Sequence, residues 1–345
     1  MKAIVVVAVF ALWSCSEGPP GTPPPDQRPT TPLALGPGAP TTIVGGGASS
    51  NDLTWIVWIT DGGAVMQRQG VAGTSALVAG LSDVKSVAIP YAVTQGGVLY
   101  RWDVNAPTQA PVEVLRDVAD VNADYGAFAL LVDGSVMDLA TMQRVSGVAD
   151  VVAMRASGFE QFIISGGGQY SRANRYFLQK NGTVLLQDVV VYLANQLPNT
   201  SEINVFAMGV EDVTSSGFLQ SPDGIVYFGD AVVHDVPARR MAGAPRQASQ
   251  VNGSTLASSY TTYVLFDDGA LWATTIGKTS GENQQGAPTF HASATQAPVR
   301  LMGDVDIVDF AILGPRVLVF ARDGTSFLDA GDGTFAPIIF EDLKR

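Results

Sequence analysis

The chain has 345 residues, of which 46% are apolar and 15% charged, and its formal net charge is -12. That acidity argues against nucleic-acid binding, which needs basic patches. A single cysteine excludes an intrachain disulfide.

Residues 1–14 read as a lipoprotein signal peptide. One Lys is followed by an apolar run from Ala3 to Trp13, too short to span a bilayer as a helix of about 20 residues. Leu12-Trp13-Ser14-Cys15 resembles the bacterial lipobox, and that resemblance implies lipidation of Cys15, the only cysteine. Ser16, rather than Asp, after the Cys resembles the default for export to an outer membrane.

Residues 15–42 form a tether rich in Pro, Gly and Thr, beginning Gly18-Pro19-Pro20-Gly21. Such a segment has too few large apolar groups to build a core. Extended, it reaches about 3.1 Å per residue and holds whatever follows off the membrane.

Residues 43–345 carry a repeat. Its clearest copy is Phe128-Ala129-Leu130-Leu131-Val132-Asp133-Gly134-Ser135-Val136-Met137, in which Asp-Gly between apolar runs predicts a hairpin with a type I′ turn. Related phrases end at Gly63, Gly97, Gly182, Gly224, Gly269 and Gly324, at steps of 34, 37, 48, 42, 45 and 55 residues. Periods of roughly 40 to 50 residues indicate one small sheet per repeat. A second phrase, aliphatic-x-(Gly/Asp)-aliphatic-x-Asp-Val, occurs at 78–84, 115–121 and 145–151, with an imperfect copy from Leu301 to Ile307. Val84 to Gly97 and Val121 to Gly134 are both 13 residues apart, which suggests a shared register. Pro111-Val112 and Pro298-Val299 suit edge strands. Strands such as Trp55 to Ile59 and Arg316 to Phe320 are continuously apolar, so burial on both faces is expected.

Pro-Val-x-x-Leu, then Asp-Val, then a hairpin ending in Asp-Gly resembles the repeats of the regulator of chromosome condensation family. That resemblance implies an all-β fold, a seven-bladed β-propeller of four-stranded antiparallel blades. The family's Gly-x-x-His between the first two strands is absent, so the architecture carries over and the nucleotide-exchange and chromatin roles do not. The closing segment Phe335-Ala336-Pro337-Ile338-Ile339-Phe340 looks like a Pro-Val strand with no hairpin after it. It is expected to complete the first blade and so close the ring.

Extra length falls at Gly158 to Asn174, Asn195 to Glu202, Val233 to Thr261 and Thr274 to Ala297. Long loops on a rigid scaffold are the usual seat of binding. They carry the candidate binding residues Phe159, Tyr170, Arg172, Arg175, His234, Arg239, Arg240, Arg246, Phe290 and His291. Arg and Tyr favour interface anchors. Catalytic signals are missing. His234 and His291 are the only histidines and form no metal-ligand pair, so neither a zinc site nor another cofactor is expected. Ile276-Gly277-Lys278-Thr279 fails as a phosphate loop, because Trp272 stands where its first Gly belongs.

The expectation is a non-enzymatic, lipid-anchored envelope protein, outer-membrane in location, whose loops bind another protein. The alternatives are a carbohydrate-binding or carbohydrate-active propeller, or an inhibitor of a secreted enzyme. The last is suggested by a β-lactamase inhibitor of the same propeller family with comparably short repeats.

Overall fold

The computed structural model describes residues 40–45, 48–49, 52–53, 55–60, 62–69, 73–123, 126–156, 160–163, 169–192, 200–214, 217–228, 231–234, 238–245, 249–251, 255–266, 268–282, 288–294, 299–302, 305–313, 316–321, 325–329 and 334–338. The signal peptide, Cys15 and the tether up to residue 39 lie outside them.

Antiparallel sheets follow one another along the chain. The first pairs Pro40–Gly45, Ile56–Thr60, Val65–Arg68 and Ser75–Leu77; the second pairs Val84–Ala88, Tyr91–Thr94, Leu99–Arg101 and Val112–Leu115. The third is Val118–Asn122, Phe128–Leu131, Val136–Asp138 and Gln143–Arg144. The fourth is Val151–Ala156, Gln169–Gln179, Val184–Tyr192 and Thr200–Ala207, with Glu160–Ile163 beside its second strand. The fifth is Asp212–Val213, Leu219–Gln220, Val226–Phe228 and Ala231–His234. The sixth is Ala238–Pro245, Thr255–Phe266, Leu271–Glu282 and Pro288–Ala294, with Ser249–Val251 and Val299–Met302 attached. The seventh is Ile307–Leu313, Arg316–Ala321, Ser326–Asp329 and Phe335–Ile338. A two-stranded ribbon, Ala48–Ser49 with Asp52–Leu53, stands apart.

The first strand of each sheet is the innermost one. Pro40–Gly45 touches both Val84–Ala88 and Ile307–Leu313, and Val118–Asn122 touches Val84–Ala88 and Val151–Ala156. The core is accordingly a series of layers between sheets. Val57, Ile59 and Val65 of the first sheet meet Val84, Val87 and Ala92 of the second. Phe128 and Leu130 of the third meet Met154 and Phe177 of the fourth. Burial on both faces follows: Ile56–Thr60 is buried at every position, as its continuous apolarity leads one to expect. The chain forms a β-propeller of small antiparallel sheets.

Three expectations need correction. First, the hairpin turn is not type I′. Gly134 N donates to Leu131 O at 2.9 Å and Leu131 N donates to Ser135 O at 2.8 Å, and in this turn only Gly134 takes positive φ, 80°. This is a three-residue loop closed by a glycine bulge. Val132 belongs to the loop and is 68% exposed.

Second, the register of the Asp-Val phrase shifts by three in its second copy. Val84, Val118, Val151 and Val210 each donate their N–H, at 2.9 Å, to the turn-glycine carbonyl of the preceding sheet: Gly63, Gly97, Gly134 and Gly182. Val118, not Val121, is therefore the equivalent of Val84. The residues just before three of these valines, Asp83, Asp117 and Asp150, take φ of 55°, 58° and 55°, a region where Asp is among the better-tolerated residues. Their carbonyls accept from Gln95, Val132 and Lys180 at 2.7, 2.8 and 2.8 Å, so each Asp joins the preceding turn to the turn of its own sheet.

Third, Phe335–Ile338 does not complete the first blade. It pairs with Ser326–Asp329 as the outer strand of the last sheet, while Pro40–Gly45 supplies the first sheet's inner strand. A cyclic repeat leaves open where each unit begins. The Pro-Val strand ends a unit rather than opening one, as Val112–Leu115 also shows by pairing with the hairpin before it.

Candidate functional site

The two ends of the sheets differ in kind. Antiparallel order places the hairpin turns and the sheet-to-sheet crossings at one end, and the remaining connections at the other. The four described glycine–valine clasps occupy the first end. The second end is uneven. The middle strands of the second sheet have four and three residues, whereas those of the sixth have twelve each. At about 3.3 Å per residue the strands of the sixth sheet are about 26–30 Å longer. The fourth sheet, with strands of eleven and nine residues, rises similarly, and the short fifth sheet lies between them in chain order.

The structure separates the candidate residues. Tyr170 and Arg172 lie on the raised part of the fourth sheet, opposite Phe162 and Glu160. Phe290 and His291 lie on the raised part of the sixth, opposite Ser280 and Thr279. His234 ends its strand at the clasped end, and Arg239 and Arg240 begin theirs there. Phe159 and Arg246 lie outside the described residues. Arg175 is half-buried between sheets: its guanidinium sits 4.3 Å from the Phe128 ring centroid, and Nη1 donates to Gln187 Oε1 at 3.2 Å. Burial lowers its pKa, with the Asp138 carboxylate opposing. It packs the third sheet against the fourth.

A polar belt on the inner strands was not legible in the sequence. Among the described residues, six of these strands shift register near their start, at Pro40/Thr42, Val84/Ser86, Val118/Asp120, Val151/Ala153, Ala238/Arg240 and Ile307/Asp309. Such bulges re-aim the side chain that follows. Ser86 donates to the Asp120 carboxylate of the next sheet, and Arg155 Nη2 lies 3.7 Å from Asp212 Oδ1 of the next. Asp120, Asp212 and Asp309 each also accept, at 2.8 Å, from the backbone N–H of the following residue. Asp120 and Asp212 thus brace neighbouring inner strands. Among the described residues no cluster of His, Cys, Asp and Glu is arranged to hold a metal, and no helix is long and apolar enough to cross a membrane.

The fold and this arrangement define a propeller stitched at one end by four glycine–valine clasps and raised unevenly at the other. No protein-family model matches the chain, and no curated protein matches its sequence. Among solved structures, it is similar to Prp20p from Saccharomyces cerevisiae at 13% identity and a TM-score of 0.42, over 72% of this chain and 74% of that one. BamB from Moraxella catarrhalis is 14% identical at a TM-score of 0.35, over 80% and 79%. The Aleuria aurantia lectin is 10% identical at 0.35, over 88% and 98%.

Proposed function

We propose that this is a non-enzymatic, lipid-anchored envelope protein whose propeller closes as a seven-bladed ring and binds another protein through its raised end. The observation that carries the reading is the placing of added length at one end: among the described residues, the fourth and sixth sheets are extended there. Closure is supported by the contact of Pro40–Gly45 with Ile307–Leu313. The anchor rests on Cys15 within its lipobox-like sequence, and an outer-membrane location on Ser16.

A carbohydrate-binding reading draws support from the inner-strand carboxylates Asp120, Asp212 and Asp309. Sugar sites also want exposed aromatic faces. The one aromatic residue on the described inner strands, Phe310, is buried in the core, so protein binding is favoured.

The test places a photo-crosslinking residue at Tyr170 or at His291 of the full-length chain in its host envelope. The expected result is the same protein adduct from both positions, lost when the crosslinker sits at Asp133 on the opposite end. If that adduct is a secreted enzyme whose activity falls on binding, the inhibitor reading follows. No protein adduct, together with retention on a glycan array, would overturn the proposal in favour of sugar binding. Replacing Cys15 with Ser should release the protein from membranes, and unchanged membrane retention would refute the anchor.

A further inference from the structure

The short fifth sheet leaves a gap between its taller neighbours. Its first two strands have two residues each. A tight turn joins them, in which Gly217 N donates to Thr214 O at 3.1 Å and Thr214 N donates to Phe218 O at 2.8 Å. That turn stops at the level of Tyr176 in the fourth sheet: a Cβ on Gly217 would meet the Tyr176 hydroxyl at 2.6 Å. The strand carrying Tyr176 runs on through residues 169–175, about 23 Å at 3.3 Å per residue.

Register assigns the faces above that level. Tyr176 and Leu178 pack with Val210, Val213 and Leu219 of the fifth sheet. Strand alternation then puts Tyr170, with Phe162 and Tyr192 directly opposite it, on the face turned toward the fifth sheet. Those positions make one aromatic row across three neighbouring strands. In the sixth sheet, Tyr263 and Leu265 pack against the seventh. The opposite face includes the fully buried Val264 and is turned toward the fifth. On it stand Tyr260 with Ile276 directly opposite, and Phe290 opposite Ser280. Stacked sheets lie about 10 Å apart, so these two faces are about 20 Å apart with one layer absent between them.

A slot one layer thick with apolar positions on both walls calls for an occupant apolar on both of its own faces, as a doubly buried strand pair is. This chain does not supply one. The tether has few large apolar residues and enters at Pro40, opposite Thr60 at the clasped end. The sixth-sheet hairpin of a second copy would offer Ser259, Thr261, Thr275, Gly277 and Thr279 on one of its faces. A second copy also brings its own net charge of -12, which repels, whereas a basic partner is attracted.

We infer that the slot over the fifth sheet takes an apolar β-hairpin of another, basic protein, which stands where the fifth sheet stops. This rests on the proposal that the raised end is the binding end. The row Phe162, Tyr170 and Tyr192 is its anchor, in keeping with the dominance of clustered aromatics at interfaces.

The test uses the full chain in its host envelope, with a photo-crosslinker at Tyr170 on one wall or at Tyr260 on the other. Both should join to a single hairpin of one protein, mapped by mass spectrometry of the adducts. Tyr192→Ala should cut the Tyr260 adduct about tenfold, the scale of an interface anchor. Val191→Ala, on the other face of that strand, should leave it unchanged. Lengthening the turn 214–218 by a six-residue hairpin should fill the slot and abolish both adducts in a variant that still unfolds cooperatively. Adducts that survive the filled slot, or that fall on separate segments of the partner, would overturn the slot and leave the raised end as the binding end. No adduct from either wall would remove both. Adducts between two copies of this chain, or retention on glycans alone, would also overturn the inference.

Discussion

Replacing Gly134 with Ala probes the clasp between the third and fourth sheets. Gly134 has φ of +80°, and a Cβ there would meet Asp150 Cα at 3.0 Å and Val151 N at 3.2 Å. Left-handed backbone costs an alanine roughly 1–2 kcal/mol. Relieving the approach means moving backbone of the next sheet and weakening the Val151 N–H bond to Gly134 O, a further loss of about 1–2 kcal/mol. The sum is about 2–4 kcal/mol. At roughly 2 °C per kcal/mol for a chain of this size, the melting temperature should fall by about 4–8 °C. Gly147 is the matched control, with φ of +77° and no atom within 4 Å of the added Cβ. Gly147→Ala should lose only the backbone term, about 2–4 °C. Thermal unfolding of the two variants followed by circular dichroism decides the matter. Equal losses would show that the clasp contributes nothing and that the cost is glycine's φ alone.

Gln67 is 2% exposed, accepts from Trp102 Nε1 at 2.8 Å and donates to Val104 O at 2.6 Å. Gln67→Leu keeps the volume and orphans both partners, and should cost about 2–4 kcal/mol by urea denaturation; a neutral result would mean that water replaces the amide. The Asp133 pKa lies below its ordinary value because Ser135 donates to the carboxylate from its side chain and its backbone, with Arg144 adding to the effect. A group whose folded pKa is depressed contributes stability above its unfolded value near 3.8, and that contribution disappears as pH falls through the folded value. Ser135→Ala should move the Asp133 titration upward in an NMR pH series, and an unmoved midpoint would refute the assignment. Deleting residues 335–345 removes the outer strand of the last sheet, so the protein should stay folded with a lower melting temperature. Complete loss of β signal would restore a ring-closing role to that segment.

How much could be read from the residues depended on whether the signal was local. The turn glycines were visible because their spacing repeats, and the buried strands because Ile56 to Thr60 and Val317 to Phe320 lack alternation. The turn type was missed because Val132, an exposed loop residue, looks like the last residue of an apolar strand. The clasp register was missed because Asp117-Val118-Ala119-Asp120-Val121 contains two Asp-Val pairs, and only positive φ at Asp117 tells them apart. The polar belt depends on bulges, which leave no trace in spacing. The candidate residues could be named but not grouped, since which end a loop occupies follows from strand order alone.

The glycine–valine clasps have a consequence for how this molecule can change. The four described glycine–valine stitches sit at the end away from the raised strands. Lengthening the far connections therefore leaves these joints untouched: the fourth sheet has grown to strands of eleven and nine residues over the same Gly134–Val151 and Gly182–Val210 seams. A foreign hairpin grafted onto the tip of the second or third sheet, between Ala88 and Tyr91 or between Asn122 and Phe128, should be accepted on the same terms.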